Sequence, residues 1–420
     1  MRWHESQIAW VGCLLAACGG RAFSGENGDA SQGNGGAGGM VATTGDGSGG
    51  GGARGGSAGA GATGGAQGID GGPGIGGSAG AGGSDSAACP GPGVDLASSD
   101  ENCGACGYAC LKGRHCNRGR CTPAWLPLST NGVPPSRTRH AAGSVSGKYV
   151  VLGGSSSSLG LAMNSVAAYD LATDTWSTLA PLNAARCSHG AASTGTSILT
   201  FGGLSDCSNG TTEGPGLEIF MPTGAAGVWQ TVVAIGAPEV RYIFASTWTG
   251  NAFFVYGGST NLAPAILSGA LFSPTGVNWS DASCSLAGCE RGGYFSAFTD
   301  GPLIRVWGGG PYGNAPAGLV YSTTNLSWSG WAVPSGTSGH LAQRFADDGR
   351  RLYYLTAANL LSIYDRKTSS WLSNDTSPMP AGFCTEGAAA WTGAELVAWS
   401  GSCGVAPISV GGRYQPPAPP

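Results

Sequence analysis

Charge is what this chain has least of. Only 10% of its residues are charged, against about 25% in ordinary globular proteins. The net charge is −4 and no basic run occurs, so no nucleic-acid partner is expected. Histidine is scarce as well, five in 420 residues, which leaves few imidazoles from which to build a metal or acid–base site. No apolar run reaches the ~18–20 residues that a membrane-crossing helix needs. Aromatics are missing from a long stretch: between residues 19 and 87, Phe23 stands alone.

With no spanning segment, attachment to a membrane must come from another device, and the N-terminus offers one. MRWHESQ followed by IAWVGCLLAA has signal-peptide length, too short to span. It ends in Leu15-Ala16-Ala17-Cys18, which resembles a bacterial lipobox. The resemblance implies that residues 1–17 are removed and that Cys18 is lipidated. Cys13 is a poorer candidate, because Trp10 sits where such motifs prefer leucine. No aspartate follows Cys18, which for such lipoproteins implies the outer membrane, on its periplasmic or cell-surface side. Acyl chains contribute about 0.8 kcal/mol per buried methylene, so several on one cysteine anchor firmly.

Residues 18–87 are nearly half glycine. They cannot bury enough apolar surface to offset the entropy of ordering, so a flexible tether is expected. At roughly 5–6 Å × √n such a segment spans about 40–50 Å. Its Gly-x-Gly strings are not a dinucleotide fingerprint, because no strand precedes them and no helix follows.

Cysteine, by contrast, is plentiful: fourteen in all, which in an exported chain points to disulfides. Six of them, Cys89, Cys103, Cys106, Cys110, Cys116 and Cys121, crowd into residues 88–122. Six cysteines allow fifteen pairings, and spacing does not choose among them. The Cys103-x2-Cys106 step, with Cys110 and His115, could be a zinc site. An even set in an exported chain favours three disulfides instead, holding a segment too short for a core of its own. The segment resembles small Cys-rich modules of exported bacterial proteins, and a rigid spacer is its default role.

From about residue 137 the chain becomes periodic. Strand-like runs end in a small pair: YVVLGG, SILTFGG, AFFVYGG, LIRVWGG, LYYLTAA and ELVAWSG, the pairs spaced by 49, 55, 51, 49 and 43 residues. A second feature recurs with them, an aromatic followed after a polar turn by tryptophan. Tyr169 to Trp176, Phe272 to Trp279, Tyr321 to Trp328 and Tyr364 to Trp371 keep a seven-residue step, and Phe220 to Trp229 is stretched to nine. Aromatic and β-branched residues suit strands packed face to face. The glycines permit a turn and a close backbone approach, and tryptophan supplies apolar area between units. A period near fifty with one such unit per repeat implies a β-propeller.

The units R-x-x-H, GG and Y-D-x-x-T-x-x-W resemble kelch repeats, the motif of galactose-oxidase-type propellers, over roughly residues 124–415. Six blades are expected. The last, closing with GGRYQP, lacks its own outer strand and tryptophan, while Ala124-Trp125-Leu126-Pro127-Leu128 precedes the first blade without a blade of its own. The N-terminal strand is therefore expected to complete the sixth blade and close the ring. A seven-bladed ring with one degenerate blade is the alternative. The expected order is signal peptide 1–17, tether 18–87, disulfide module 88–122, all-β propeller 123–416 and Pro-rich tail 417–420.

The remaining cysteines fit this register. Cys187 and Cys207 flank the second glycine-pair strand, Cys384 and Cys403 flank the sixth, and Cys284 and Cys289 would close the short loop CSLAGC. All six read as structural staples. His140 and His189 follow Arg137 and Arg186 in the R-x-x-H position, where Phe244 and Tyr294 follow Arg241 and Arg291. Replacement by aromatics argues for packing. A copper radical oxidase on this fold needs two histidines, tyrosines and a Tyr–Cys crosslink, and no matching constellation is found; His340 does not supply one. SPTGVNW (273–279) only faintly resembles a sialidase turn and lacks its aspartate.

Arg137, Arg186, Arg241 and Arg291 precede their small pairs by 16 or 17 residues. They could form a rim that holds an anion, or they could bond loop carbonyls of a neighbouring blade. Tyr312 and Trp331 could stack on a sugar. The Ser-, Asn- and Gly-rich loops 155–164, 204–216, 259–269 and 309–318 offer the usual place for binding on a rigid scaffold. The expectation is a monomeric, non-enzymatic binding scaffold for a protein or glycan, without metal or cofactor. The alternative is a secreted propeller enzyme, copper-dependent or carbohydrate-active.

Overall fold

The computed structural model describes Cys89 and residues 93–419, apart from 158–159, 209–213, 261–265, 287–288, 290–294, 309–317, 332–344, 356–360, 376–378, 380–386 and 402–407. The signal, lipidation and tether expectations fall outside the described residues. So do Arg291, Tyr294, Tyr312, His340, Cys384 and Cys403. Everything described belongs to one unit, Gly74–Pro420, and among the described residues all regular elements are strands.

Six four-stranded antiparallel sheets make the ring. Blade 1 is a meander of Ala141–Val145, Lys148–Leu152, Val166–Asp170 and Thr175–Leu179. Blades 2 to 5 repeat the plan over 190–232, 245–281, 295–331 and 345–375. Blade 6 takes three strands from the end of the chain, Ala388–Trp391, Leu396–Trp399 and Gly411–Tyr414. Its outer strand, Trp125–Pro127, comes from before blade 1, pairing Tyr414 with Trp125. The ring is therefore six-bladed and closed by its N-terminal strand. Closure leaves only short strand edges exposed.

First strands of blades 1 and 2, 2 and 3, 3 and 4, 5 and 6, and 6 and 1 lie against one another, which puts them innermost. In blades 1 and 2 they are built of small residues, AAGSV and GAAS, which suits crowding at the axis. Second strands, KYVVL, ILTF, FFVY and LVAW, are buried almost end to end, because neighbouring blades cover both faces. That sandwiching explains their unbroken apolar runs.

The outer half of each blade is fixed by one aromatic pair. Tyr169 with Trp176, Phe220 with Trp229, Phe272 with Trp279, Tyr321 with Trp328, Tyr364 with Trp371 and Tyr414 with Trp125 lie in direct cross-strand register. Their ring centroids are 5.1 to 5.4 Å apart in every blade. The turns between these partners are capped by their own side chains. Asp170 Oδ1 accepts from the amides of Ala172 and Thr173, and Asp365 Oδ1 from those of Lys367 and Thr368, as Asx turns do. Indole N–H groups then reach between blades: Trp176 donates to Ser129 O (3.1 Å), Trp229 to Ala180 O (2.9 Å) and Trp328 to Ala282 O (3.0 Å). Each acceptor follows the last strand of the preceding blade.

The module before the ring is a two-stranded ribbon, His115–Asn117 with Arg120–Thr122. It is held by the disulfides Cys89–Cys106, Cys103–Cys116 and Cys110–Cys121. The sulfurs of Cys103, Cys110 and Cys121 lie near one another, but each is spent in a disulfide, so the zinc reading does not hold. Cys187 pairs with Cys207 and Cys284 with Cys289 in the ring.

Candidate ligand-binding face

The glycine-pair ends of the second strands gather one side of the ring, and the repeated arginines are built into it. Arg137 Nη1 donates to Gly153 O and Ser165 O, both at 3.0 Å. Arg241 Nη1 donates to Gly257 O (3.3 Å) and Ser268 O (2.7 Å), and its Nη2 to Ser268 Oγ (2.9 Å). Arg186 does the same with Gly202 O and Gly216 O and adds a buried ion pair to Glu218. Each guanidinium thus ties the end of a second strand to the start of the third in its own blade.

These three arginines are fully buried. Burial lowers their pKa, to about 10 for Arg137 and Arg241. They do not form a solvent-facing anion rim, because their donors are turned inward onto carbonyls. The carbonyls they bond lie in their own blades, while the Arg137 guanidinium also sits over the Trp399 ring of blade 6, 5.9 Å from its centroid. The hydrogen bonds between blades run through the arginine main chain: Gly154 N donates to Arg186 O and Gly203 N to Arg241 O, both at 2.8 Å. In blade 6, where Ser400 replaces the first glycine, Ser400 Oγ donates to Arg137 O (2.8 Å) and accepts from Arg137 N (3.1 Å).

This seam explains the glycines. Gly153 has φ +62°, and a Cβ there would lie 2.5 Å from Arg186 O and 2.7 Å from His189 Cε1. A Cβ on Gly154 would meet His140 Cβ at 2.7 Å. His140 and His189 therefore bracket the pair as packing groups. Phe244 takes the equivalent place against Gly202 and Gly258. His140 also meets Trp399 edge-on, 5.7 Å between centroids, as Phe244 meets Phe201 at 5.9 Å. Burial, reinforced by Arg137, drives the His140 pKa down to about 3, and burial with Arg186 drives that of His189 well below its usual value. Both imidazoles are neutral at physiological pH.

Trp331 lies in the outer strand of blade 4, half-buried, paired with Gly318. The Arg305 guanidinium sits over its ring at 5.2 Å, with Phe298 at 5.8 Å edge-on, and Arg305 is held by Asp300. Its described aromatic and cationic neighbours belong to its own blade, so it is not brought together with the arginines of blades 1 to 3.

What projects from this side is a loop platform over blades 1 to 3. Ser155 bridges Thr138 and Ala162, and Leu161 bridges Asp206 of the next blade. Cys187 pairs with Leu204 through main chain and with Cys207 through sulfur. Cys187, Leu204 and Cys207 form a small buried cluster with Ala162 and Tyr242 packed against it. Arg139 Nη1 donates to Cys207 O at 3.4 Å. The loops are thereby fixed to each other, while Leu161 stays 73% exposed and Asp206 and Ser208 stand nearby. The sequence singled out these loops but not Leu161 or its bridge, since a lone leucine in a Ser- and Gly-rich loop carries no periodic signal.

A family model described as Kelch motif matches residues 136–183, the unit from just before Arg137 through blade 1. No curated protein matches the chain at a significant level.

Proposed function

We propose that this kelch-repeat propeller is a binding scaffold whose loop platform over blades 1 to 3 engages a protein ligand, and that Cys18 carries the lipid that holds it at the outer membrane. Kelch propellers commonly bind proteins. The observation that carries the reading here is the Leu161–Asp206 bridge. It joins two inter-strand loops beside the Cys187–Cys207 disulfide and leaves an apolar side chain, Leu161, exposed. Rigid loops lose little entropy on binding, and an apolar anchor rimmed by polar groups is the usual composition of a protein interface. Arg137, Arg186 and Arg241 support the same reading, because their guanidinia tie strands together within a blade, and so do His140 and His189, which pack against the glycine pairs.

The test is a protein array and a glycan array probed with the full chain. A ring whose residues 155–164 are replaced by Gly and Ser serves as the control. The expected result is a protein ligand that the wild type binds and the loop-replaced chain does not, with equal melting of both. Retention only of glycans would shift the ligand class. Stoichiometric copper uptake with peroxide release from sugar alcohols would overturn the scaffold reading. For the anchor, palmitate labelling should vanish in Cys18→Ala; labelling that persists would refute it.

A further inference from the structure

The ring closes on a short strand. The outer strand of blade 6 contributes three paired residues, against five in blade 1. It is also the only outer strand that must find its partner from the far end of the propeller. Across this seam lies the Cys-rich module. The Arg114 side chain is fully buried and ion-paired to Glu395 at 2.6 Å, with Arg413 Nη1 also 3.7 Å from that carboxylate. Arg114 Nη2 donates to Arg413 O (3.0 Å) and Ala124 O (3.4 Å). One guanidinium thus reaches the carbonyls of both chain ends that meet at the seam.

Gln415 adds a second grip. Its Oε1 accepts from Leu111 N at 2.9 Å and its Nε2 donates to Ala109 O at 2.8 Å. Its own amide donates to Ala124 O at 3.1 Å. Tyr108 OH donates to Pro416 O. A Cβ on Gly113 would be 3.1 Å from Leu126 Cδ1, so the module backbone also rests on the closing strand itself.

Every gripping residue, Tyr108, Ala109, Leu111 and Arg114, lies between module cysteines. Arg114 sits inside the loops closed by both Cys103–Cys116 and Cys110–Cys121. A segment this small has no core able to hold those positions without its bridges. We propose that the module is a redox-sensitive clasp: disulfide-bonded, it locks the propeller seam, and reduced, it releases it. In the release each disulfide takes two electrons and two protons from a dithiol and becomes two thiols, while the dithiol closes to its cyclic disulfide.

The test is amide exchange on the full chain, comparing Gly411–Tyr414 and Trp125–Pro127 with Ile198–Phe201 of blade 2. Cys103→Ala/Cys116→Ala and Gln415→Ala chains are measured beside the wild type. The expected result is at least tenfold faster exchange at the seam in both variants, with blade 2 unchanged. In wild type titrated with dithiothreitol, seam exchange should rise as Cys110 and Cys121 become alkylatable. Gln415→Ala leaves all disulfides intact and reads the grip even where the cysteine variant does not fold. Equal seam protection in Gln415→Ala and wild type would overturn the clasp. So would seam opening that tracks alkylation of Cys187 rather than of the module cysteines.

Discussion

Trp125 lies against Tyr414, ring centroids 5.1 Å apart, though one opens the propeller and the other ends it. Both are buried, and the pair repeats what each other blade makes from neighbouring strands. Removing the tryptophan should therefore act on the whole ring. Trp125→Ala is expected to cost about 3–5 kcal/mol, the usual cost for a buried aromatic, read as a shift in the urea midpoint. Deleting residues 124–129 should cost more. An unchanged midpoint in either would mean that this strand does not close the ring.

Acid should weaken the fold through His140 and His189. Unfolded histidine titrates near 6.5, whereas burial and Arg137 hold His140 down to about 3. Between about pH 6.5 and 3 the unfolded state therefore binds more protons, and stability falls as pH drops through that window. At pH 5, His140 alone should account for a loss of roughly 2 kcal/mol, at 1.36 kcal/mol per pH unit. His189→Phe, which installs the residue type that Phe244 supplies in blade 3, should shrink the stability difference between pH 7 and pH 5. A difference unchanged in both His140→Phe and His189→Phe would place the acid sensitivity elsewhere.

The glycine pair should be far less replaceable than an open glycine. Gly153→Ala meets the Arg186 carbonyl at 2.5 Å on top of its left-handed backbone, and about 3 kcal/mol of destabilisation is expected. Gly195 has φ +94° but nothing within 4 Å, so Gly195→Ala should show only backbone strain, about 1–2 kcal/mol. Thermal melts of the two variants side by side check the contrast. Equal losses would mean that the close approach of blade 2 contributes nothing.

The architecture was legible in the sequence because it repeats. The step from aromatic to tryptophan marks a register pair, and the homeless Trp125 marked the closing strand. Burial of the arginines was not legible, since R-x-x-H gives the same spacing whether a guanidinium turns outward to an anion or inward to Gly153 O. The partners of Arg114 were beyond reach too. Arg413 lies 299 residues away, and a buried ion pair has no local signature. Leu161 escaped for a related reason: its role depends on Asp206 in another blade.

In the proposed scaffold, repeated polar residues hold the blades while loops do the binding. The binding isotherm of Leu161→Asp beside that of Arg241→Met, each with the array-identified protein ligand and each checked for melting, separates the two roles. Leu161→Asp should bind at least tenfold more weakly with unchanged melting, whereas Arg241→Met should melt lower yet bind normally while folded. Normal binding by Leu161→Asp, with binding lost in a fully stable Arg241→Met, would contradict this division of roles and return the arginines to the ligand site.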